Sequence, residues 1–555
     1  MDRQRFVIPD RHQEPLPLDR LIVTDPPDAE AVPMDVLFVG GGPAGLAGAI
    51  ELAGLVRRDN EAGGTLGDLQ IGVLDKAGAL GEHSLSGAIV NPVAMRELFP
   101  DLADSDFPFR APVAAERVYL LTGRHSLRIP TPPTMQNHGY YVASLCEVVR
   151  WLGEKAEAAG VNVFSGFPAA SLLTEGARVK GVRTTPTGLG RNGEPGSGYA
   201  PPTDITAQIT VLAEGTRGAL SQAYVDWQKI PSANPQIFAL GVKEIWETKK
   251  PLDSVIHTLG WPLPLDAFGG SFMYPLTPNM VALGLVVGMD YRQTTTDVHD
   301  LLQRLKLHPL FKQYLGGGEM VEWGAKTIPE GGYYAVPNRR HGDGVMIVGD
   351  SAGYVEVASL KGIHYAMQSG MFAARAAFAA LKKGDTSSAT LRQYDEMVDA
   401  SFIRKDLYRR RNMRLAFQKH GFFLGGIMAS LMTVTGGRFP GGKIESEPDA
   451  RVPRTPAPVA PLVPDGKLTF TKLDAVFKSG NATRDDIPSH LIVGKDIPSD
   501  VAELYLHMCP AGVYERDGER LVVSPANCID CKATDVIGPR WTPREGGSGP
   551  KYRNM

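Results

Sequence analysis

DVLFVGGGPAGLAGAIELAGLV, residues 35–56, decides the fold. DVLFV is short and apolar, as a buried parallel strand should be. It runs directly into Gly40, Gly42 and Gly45 at G-x-G-x-x-G spacing, and LAGAIELAGLV then continues with helical periodicity. The first glycine makes a tight turn, the second admits a pyrophosphate to the backbone, and the third lets helix and strand approach closely. The helix N-terminus adds free N–H donors and a positive dipole end. A second strand, residues 69–74, ends at Asp75, placed to bond a ribose hydroxyl after a connection lengthened by RRDNEAGGTLGD. Strand, turn, helix and terminal acid together predict a dinucleotide site.

Two later segments select the dinucleotide. VLAEGTRG (211–218) is a strand running into a turn at Glu214 and Gly215, and GVMIVGDSAG (344–353) is a strand ending at Asp350 and turning at Gly353. Asp350 alone would read as a helix N-cap. In company with the other two turns it can hold the ribityl or ribose part of a long cofactor extended across the sheet. With no second complete G-x-G-x-x-G for a pyridine nucleotide, FAD is the expectation. The three segments lie far apart in sequence, so the flavin domain is discontinuous and a second domain is inserted.

The chain has 555 residues, 43% hydrophobic and 21% charged, which excludes a globally disordered protein. Its 62 glycines and 43 prolines exceed the usual shares of about 7% and 5% and predict a loop-rich α/β or α+β protein. A net charge of −3 gives no reason to expect nucleic acid. No apolar run is long enough for an ordinary transmembrane helix. The acid-rich N-terminal segment resembles neither a signal nor a transit peptide.

The four cysteines are Cys146, Cys509, Cys528 and Cys531, a distribution unlike a disulfide scaffold and suited to a reducing compartment. Cys146 sits in the helical pattern VASLCEVVRWL and reads as core. CPAGVYE (509–515) followed by CIDC (528–531) resembles a ferredoxin ligand run for an iron–sulfur cluster. Zinc is the competing reading, but histidine is poorly spaced to complete a tetrahedral site. A ferredoxin run would place a fourth cysteine at position 534, where Thr534 stands; Asp535 or solvent could substitute.

Over nearly its whole length the chain resembles the electron transfer flavoprotein–ubiquinone oxidoreductase family. The resemblance rests on VGGGPAGL (39–46), DKAGALGEHSLSGAIVNP (75–92), WPLPLDAFGGSFMYPL (261–276), VALGLVVGMDY (281–291), KGIHYAMQSG (361–370), CPAGVYE and EGGSGPKYRNM (545–555). It implies a monotopic membrane flavoenzyme that takes electrons from reduced electron transfer flavoprotein and passes them to ubiquinone or menaquinone. It also implies FAD and a [4Fe-4S] cluster, or a [3Fe-4S] cluster or none given Thr534. Cluster ligands carry over to Cys509, Cys528 and Cys531, the quinone-contacting glycine pair to Gly269 and Gly270, and flavin contacts to Ser86, Gly87 and Gly362. The expected architecture is an N-terminal extension (1–34) and a Rossmann-like FAD domain of the glutathione reductase type (35–114, 205–225 and 336–450). A β-rich quinone-side domain (115–204 and 226–335), a linker (451–464) and a ferredoxin-like domain (465–555) complete it.

Residues 421–437, GFFLGGIMASLMTVTGG, are uncharged but short for a span and suit an interfacial element. The preceding Arg404, Lys405, Arg409, Arg410, Arg411 and Arg414 would attract anionic lipid. A core hairpin beside a solvated basic helix is the bland reading. The docking surface (404–438) predicts a peripheral protein on the cytoplasmic face of a bacterial inner membrane. His83, His364, Glu82 and Lys361 are the ionisable residues in flavin-proximal motifs, as structural as they are proton-transferring. Two other functions fit less of the sequence: a flavin monooxygenase or lipid reductase of the same fold, and a docking protein with a defective iron–sulfur module.

Overall fold

The computed structural model describes residues 6–87, 89–459 and 461–555. The elements that build the site are, in chain order, β1 (Val32–Val39), α1 (Pro43–Glu61), β2 (Ile71–Asp75), β3 (Asp204–Leu212), β4 (Phe238–Glu247) and β5 (Gly269–Thr277). They continue with β6 (Met280–Gly288), β7 (Glu319–Pro329), β8 (Val345–Ile347), α2 (Ile363–Lys383) and α3 (Met413–Val434).

The apolar runs of β1, β2, β3 and β8 are buried and pair in parallel, with β1 between β2 and β3 and β8 beside the end of β3. Their last residues are in register: Val39 lies opposite Leu74 and Leu212, and Leu212 opposite Ile347. The turns after these strands therefore open on one edge of the sheet, where α/β folds bind ligands. Helices α1 and α2 pack on each other through bare backbone. A Cβ on Gly370 would stand 2.0 Å from the Ala44 carbonyl oxygen, and one on Gly48 2.8 Å from that of Gly370.

A second, seven-stranded sheet runs in the order β7, β4, β6, β5, Val255–Gly260, Glu116–Leu121, Ser126–Ile129 and is antiparallel except between the fifth and sixth strands. The C-terminal residues form short helices, a hairpin (Tyr514–Asp517 with Arg520–Val523) and a strand pair joining Leu491–Ile492 to Arg540–Trp541.

Two boundaries differ from expectation. Residues 162–184, expected on the quinone side, are strands of the first sheet. Helix Leu145–Ala158, N-capped by Ser144, packs on α1 and returns the chain parallel to β2 at Asn162–Ser165. The proline-rich 451–464 segment is no free linker, because Arg454 is fully buried and donates to the carbonyls of Met289, Asp449 and Val452. The N-terminal extension adds Ile22–Val23 to the edge of the first sheet.

Of the six basic residues before the apolar segment, Arg411 and Arg414 are buried and Arg410 is ion-paired at the surface. Arg414 donates to Glu330 at 2.7 Å and to Asp290 at 2.7 Å, Arg410 pairs with Glu356 at 2.6 Å, and Arg411 is spent on the carbonyls of Tyr408 and Gly437. Among the six, Lys405 and Arg409 remain exposed. Arg414 thus fixes α3 to the second sheet. Replacing Arg414 with leucine strands two buried carboxylates and is expected to cost about 3–5 kcal/mol; a thermal denaturation midpoint equal to the parent's would refute this.

Candidate active site

The turns after β1, β2, β3 and β8 and the N-terminus of α2 surround an elongated cavity. Each fingerprint glycine has a distinct steric reason. Gly40 has φ +120°, and a Cβ there would meet the Ala213 carbonyl oxygen at 2.3 Å. On Gly45 it would meet the Gly40 oxygen at 2.0 Å, while on Gly42 it would meet no atom within 4 Å and point into the cleft. Gly42 therefore leaves a bare cradle at the N-terminus of α1, the geometry a pyrophosphate needs.

Asp75 accepts from the amides of Gly41 and Ala77 at 2.8 Å each, which orients its carboxylate at the cavity wall and leaves further lone pairs for a ribose hydroxyl. Asp350 lines the same cavity, and burial, eased only by Lys326, pushes its carboxyl up to about 6. Glu214 is different. It lines the cavity too, but its carboxylate accepts from the amides of Leu220 and Ser221 and from the Ser221 hydroxyl, capping helix Ala219–Trp227. Ser86, Gly87, Gly215 and Gly362 line the cavity, and Gly362 sits at the N-cap of α2. Gly353 does not line it. Gly353 ends the Gly349–Ala352 turn in the left-handed region at φ +82°.

The second sheet closes the cavity with Phe272 and with groups that the sequence did not single out: Lys243, His257, Tyr274, Lys326 and Thr327. Phe272 and Tyr274 stack at 4.7 Å, and burial drops the His257 imidazole to about 3, so this part of the wall is apolar and neutral. Lys243 is buried with an ammonium that has no hydrogen-bond partner, and His83 Nδ1 also lacks one. Both line the cavity, so polar ligand atoms there have hydrogen-bonding partners waiting. Period-two alternation in β4, β5 and β7 was the one signal available for them. His83 and Lys361 reach the cavity, whereas Glu82 bonds the Ala79 amide and His364 stacks on Phe402.

Gly269 and Gly270 do not line this cavity. A Cβ on Gly269 would stand 2.1 Å from the Val286 carbonyl oxygen, and on Gly270 2.7 Å from that of Thr258. Close strand approach therefore requires both glycines whatever else they touch. Phe268 beside them packs on Phe417 of α3, with ring centroids 5.0 Å apart, under the Arg414 guanidinium.

Cys509, Cys528 and Cys531 are buried together, and burial pushes the Cys528 thiol up to about 12. Their loop is welded to the flavin side: the Thr327 amide donates to the Cys531 carbonyl at 2.9 Å, and Lys76 meets Asp530 at 2.5 Å. Neither Thr534, at the fourth cysteine's position, nor Asp535, its candidate substitute, is free. Thr534 bonds Tyr514 and donates to the Pro539 carbonyl. Asp535 accepts from Arg217 at 2.7 Å, from Gln222 and from the Trp541 amide.

A parallel sheet with a glycine cradle, joined to an antiparallel sheet over one cleft, is the fold of FAD-dependent oxidoreductases. The same fold is seen in a geranylgeranyl bacteriochlorophyll reductase-like protein of Thermoplasma acidophilum, with TM-score 0.56 and 20% identity over 73% of this chain and 92% of that one. The family model "ETF-QO, ubiquinone-binding" matches residues 238–328, and "Electron transfer flavoprotein-ubiquinone oxidoreductase, 4Fe-4S" matches residues 466–553. Proteins named electron transfer flavoprotein-ubiquinone oxidoreductase are similar throughout. That of Oryza sativa is 37% identical, covering 95% of this chain and 94% of its own, and that of Pseudomonas aeruginosa is 36% identical, covering 95% and 100%. The chain belongs to the electron transfer flavoprotein–ubiquinone oxidoreductase family.

Gly42→Leu should fill the cradle and yield protein without flavin; a fully yellow variant would refute the placement. Asp350 holds its proton more tightly folded than unfolded, so it favours the folded state at low pH. That contribution is lost as pH rises from its ordinary 3.8 through about 6. The melting temperature of apoprotein should fall across this window, and Asp350→Asn should flatten the fall.

Proposed function

We propose that this protein oxidises reduced electron transfer flavoprotein and reduces a membrane quinone, with FAD held by Gly40, Gly42, Asp75, Ser86, Gly87, Gly215, Asp350 and Gly362. The observation that carries the flavin placement is the open space over Gly42 at the head of α1, on the edge where Asp75 and Asp350 converge. FAD, when bound, can accept electrons singly and deliver them as a pair, which suits a one-electron donor and a two-electron acceptor. The chain orients it with backbone N–H groups at the N-termini of α1 and α2. Lys326 faces both Asp75 and Asp350, and burial lowers its ammonium to about 8. It supplies a positive charge beside the cleft, while Phe272 and Tyr274 exclude water from the opposite wall.

The quinone approaches from the lipid. No helix among the described residues is long and apolar enough to cross a membrane. Instead α3 kinks at Gly421 (φ 71°) and beyond it exposes Phe423, Leu424, Ile427, Leu431 and Val434, with Phe423 71% and Val434 85% exposed. Such a patch suits insertion into one leaflet. From it an aromatic series runs inward: Phe423 to Phe422, Phe422 to Phe417, Phe417 to Phe268, at ring separations of 5.5, 6.4 and 5.0 Å. Phe268 adjoins Gly269 and Gly270, so this series leads a lipid-borne ring toward the glycine pair. The apolar face, more than the basic cluster, carries the docking, on the cytoplasmic side of a bacterial inner membrane.

The deciding experiment follows electrons from reduced electron transfer flavoprotein to a soluble quinone analogue on the purified flavoprotein. Oxidation of the partner without quinone reduction would overturn the reading. Replacing Phe423, Ile427 and Val434 together by serine should release the protein from liposomes and leave activity toward a water-soluble quinone intact. Unchanged cosedimentation with liposomes would refute the docking surface.

A further inference from the structure

The four-iron description of the matched module and the donor set of this chain disagree by one ligand. A [4Fe-4S] cluster is held by four thiolates, and the C-x2-C-x2-C run supplies three of them in ferredoxins. Here the third position of that run is Thr534, and the described residues offer no other cysteine than the buried, distant Cys146, whose Sγ donates to the Ser84 carbonyl.

The hydroxyl of Thr534 is a poor substitute. It is neutral, its proton goes to the Pro539 carbonyl at 3.0 Å, and Tyr514 bonds the same oxygen at 2.6 Å. Thr534, Tyr514 and the neighbouring Val536 and Ile537 are buried, so this corner is closed to a solvent hydroxide as well. Asp535, next in sequence, is consumed by Arg217, Gln222 and the Trp541 amide on the side of the flavin domain.

His490 is the remaining candidate. Both of its ring nitrogens lack partners, and one lies within 4.8 Å of donor atoms of Cys528 and Asp530. Asp530, however, is held by Lys76, Arg544 and the Trp541 indole, so His490 stands on the ion-paired side of the loop. Thr534 lies at the other end of the run, against Tyr514.

We propose that Cys509, Cys528 and Cys531 hold a three-iron [3Fe-4S] cluster in this chain, with Thr534 and Tyr514 closing the corner where a fourth iron would sit. The electrostatics permit the exchange. An oxidised three-iron core carries one positive charge against three thiolates, and a four-iron core two against four, leaving the same net charge. The surrounding cations, Lys326, Lys472 and Arg544, therefore suit either cluster. A cuboidal cluster short of one iron needs no fourth protein ligand.

The test is made on full-length holoprotein purified without oxygen, then incubated with ferrous iron, sulfide and reductant. Iron should remain at three atoms per FAD, and the oxidised protein should give a low-temperature paramagnetic resonance signal, since the oxidised three-iron cluster has an odd electron count. Thr534→Cys should take up a fourth iron, lose the oxidised signal and gain one on reduction. Four irons per FAD in the parent, with a silent oxidised state, would overturn the proposal, as would nitrogen hyperfine coupling that vanishes in His490→Leu. Absence of iron would overturn it too. If Thr534→Cys does not fold, the iron count and Mössbauer spectrum of the parent decide. Flavin content and quinone reduction, measured on the same samples, report separately on the proposed function.

Discussion

One buried carboxylate holds the two halves of the molecule together. Asp530 is almost wholly inaccessible and is met by Lys76 at 2.5 Å, by Arg544 at 3.0 Å and by the Trp541 indole at 3.1 Å. Those charges keep it ionised well below the usual carboxylate range despite burial. Lys76 follows Asp75 at the end of β2, and Asp530 stands between Cys528 and Cys531. A single ion pair thus sets the cysteine loop against the strand that ends at Asp75. The Asp535–Arg217 pair and the Cys531–Thr327 hydrogen bond repeat the arrangement on β3 and β7. Losing one partner of such a group leaves its charge buried and unpaired, so the junction is rigid by necessity.

Rigidity at that junction explains why the module contributes to the cleft without lining it. Thr327 lines the flavin cavity, and its amide holds the carbonyl of a cysteine. The second sheet gives the opposite wall. Two architectures with different hydrogen-bonding patterns meet over one cavity, and the residues there are those that satisfy both: small on the parallel side, aromatic and cationic on the antiparallel side.

Much of this was legible in the residues. Gly40, Gly42 and Gly45 announce themselves because a strand, a turn and a helix each constrain one of them. Asp75 and Asp350 follow because each ends a short apolar run. Most of the second wall was not legible, since Lys243, His257 and Lys326 sit in ordinary alternating strands and acquire meaning when the sheet folds over the cleft. Glu214 shows a related limit: an acid after a strand can face a ligand, cap a helix or do both, and the helix-capping amides of Leu220 and Ser221 come into view with the fold. The basic cluster misled because sequence counts charges without their partners, and Asp290, Glu330 and Glu356 come from remote segments.

The strand order of the first sheet also dictates how the chain can be made. β1 has β2 nearby in sequence, but its other neighbour, β3, lies some 170 residues on, and β8 completes the edge later still. Ordering these strands early would incur the entropy of closing long loops before their contacts exist. The 40–45 turn is thus synthesised long before Ala213, against which Gly40 packs, and Asp350 arrives after most of the chain. A nascent chain halted before residue 345 therefore presents unpaired, apolar strand edges.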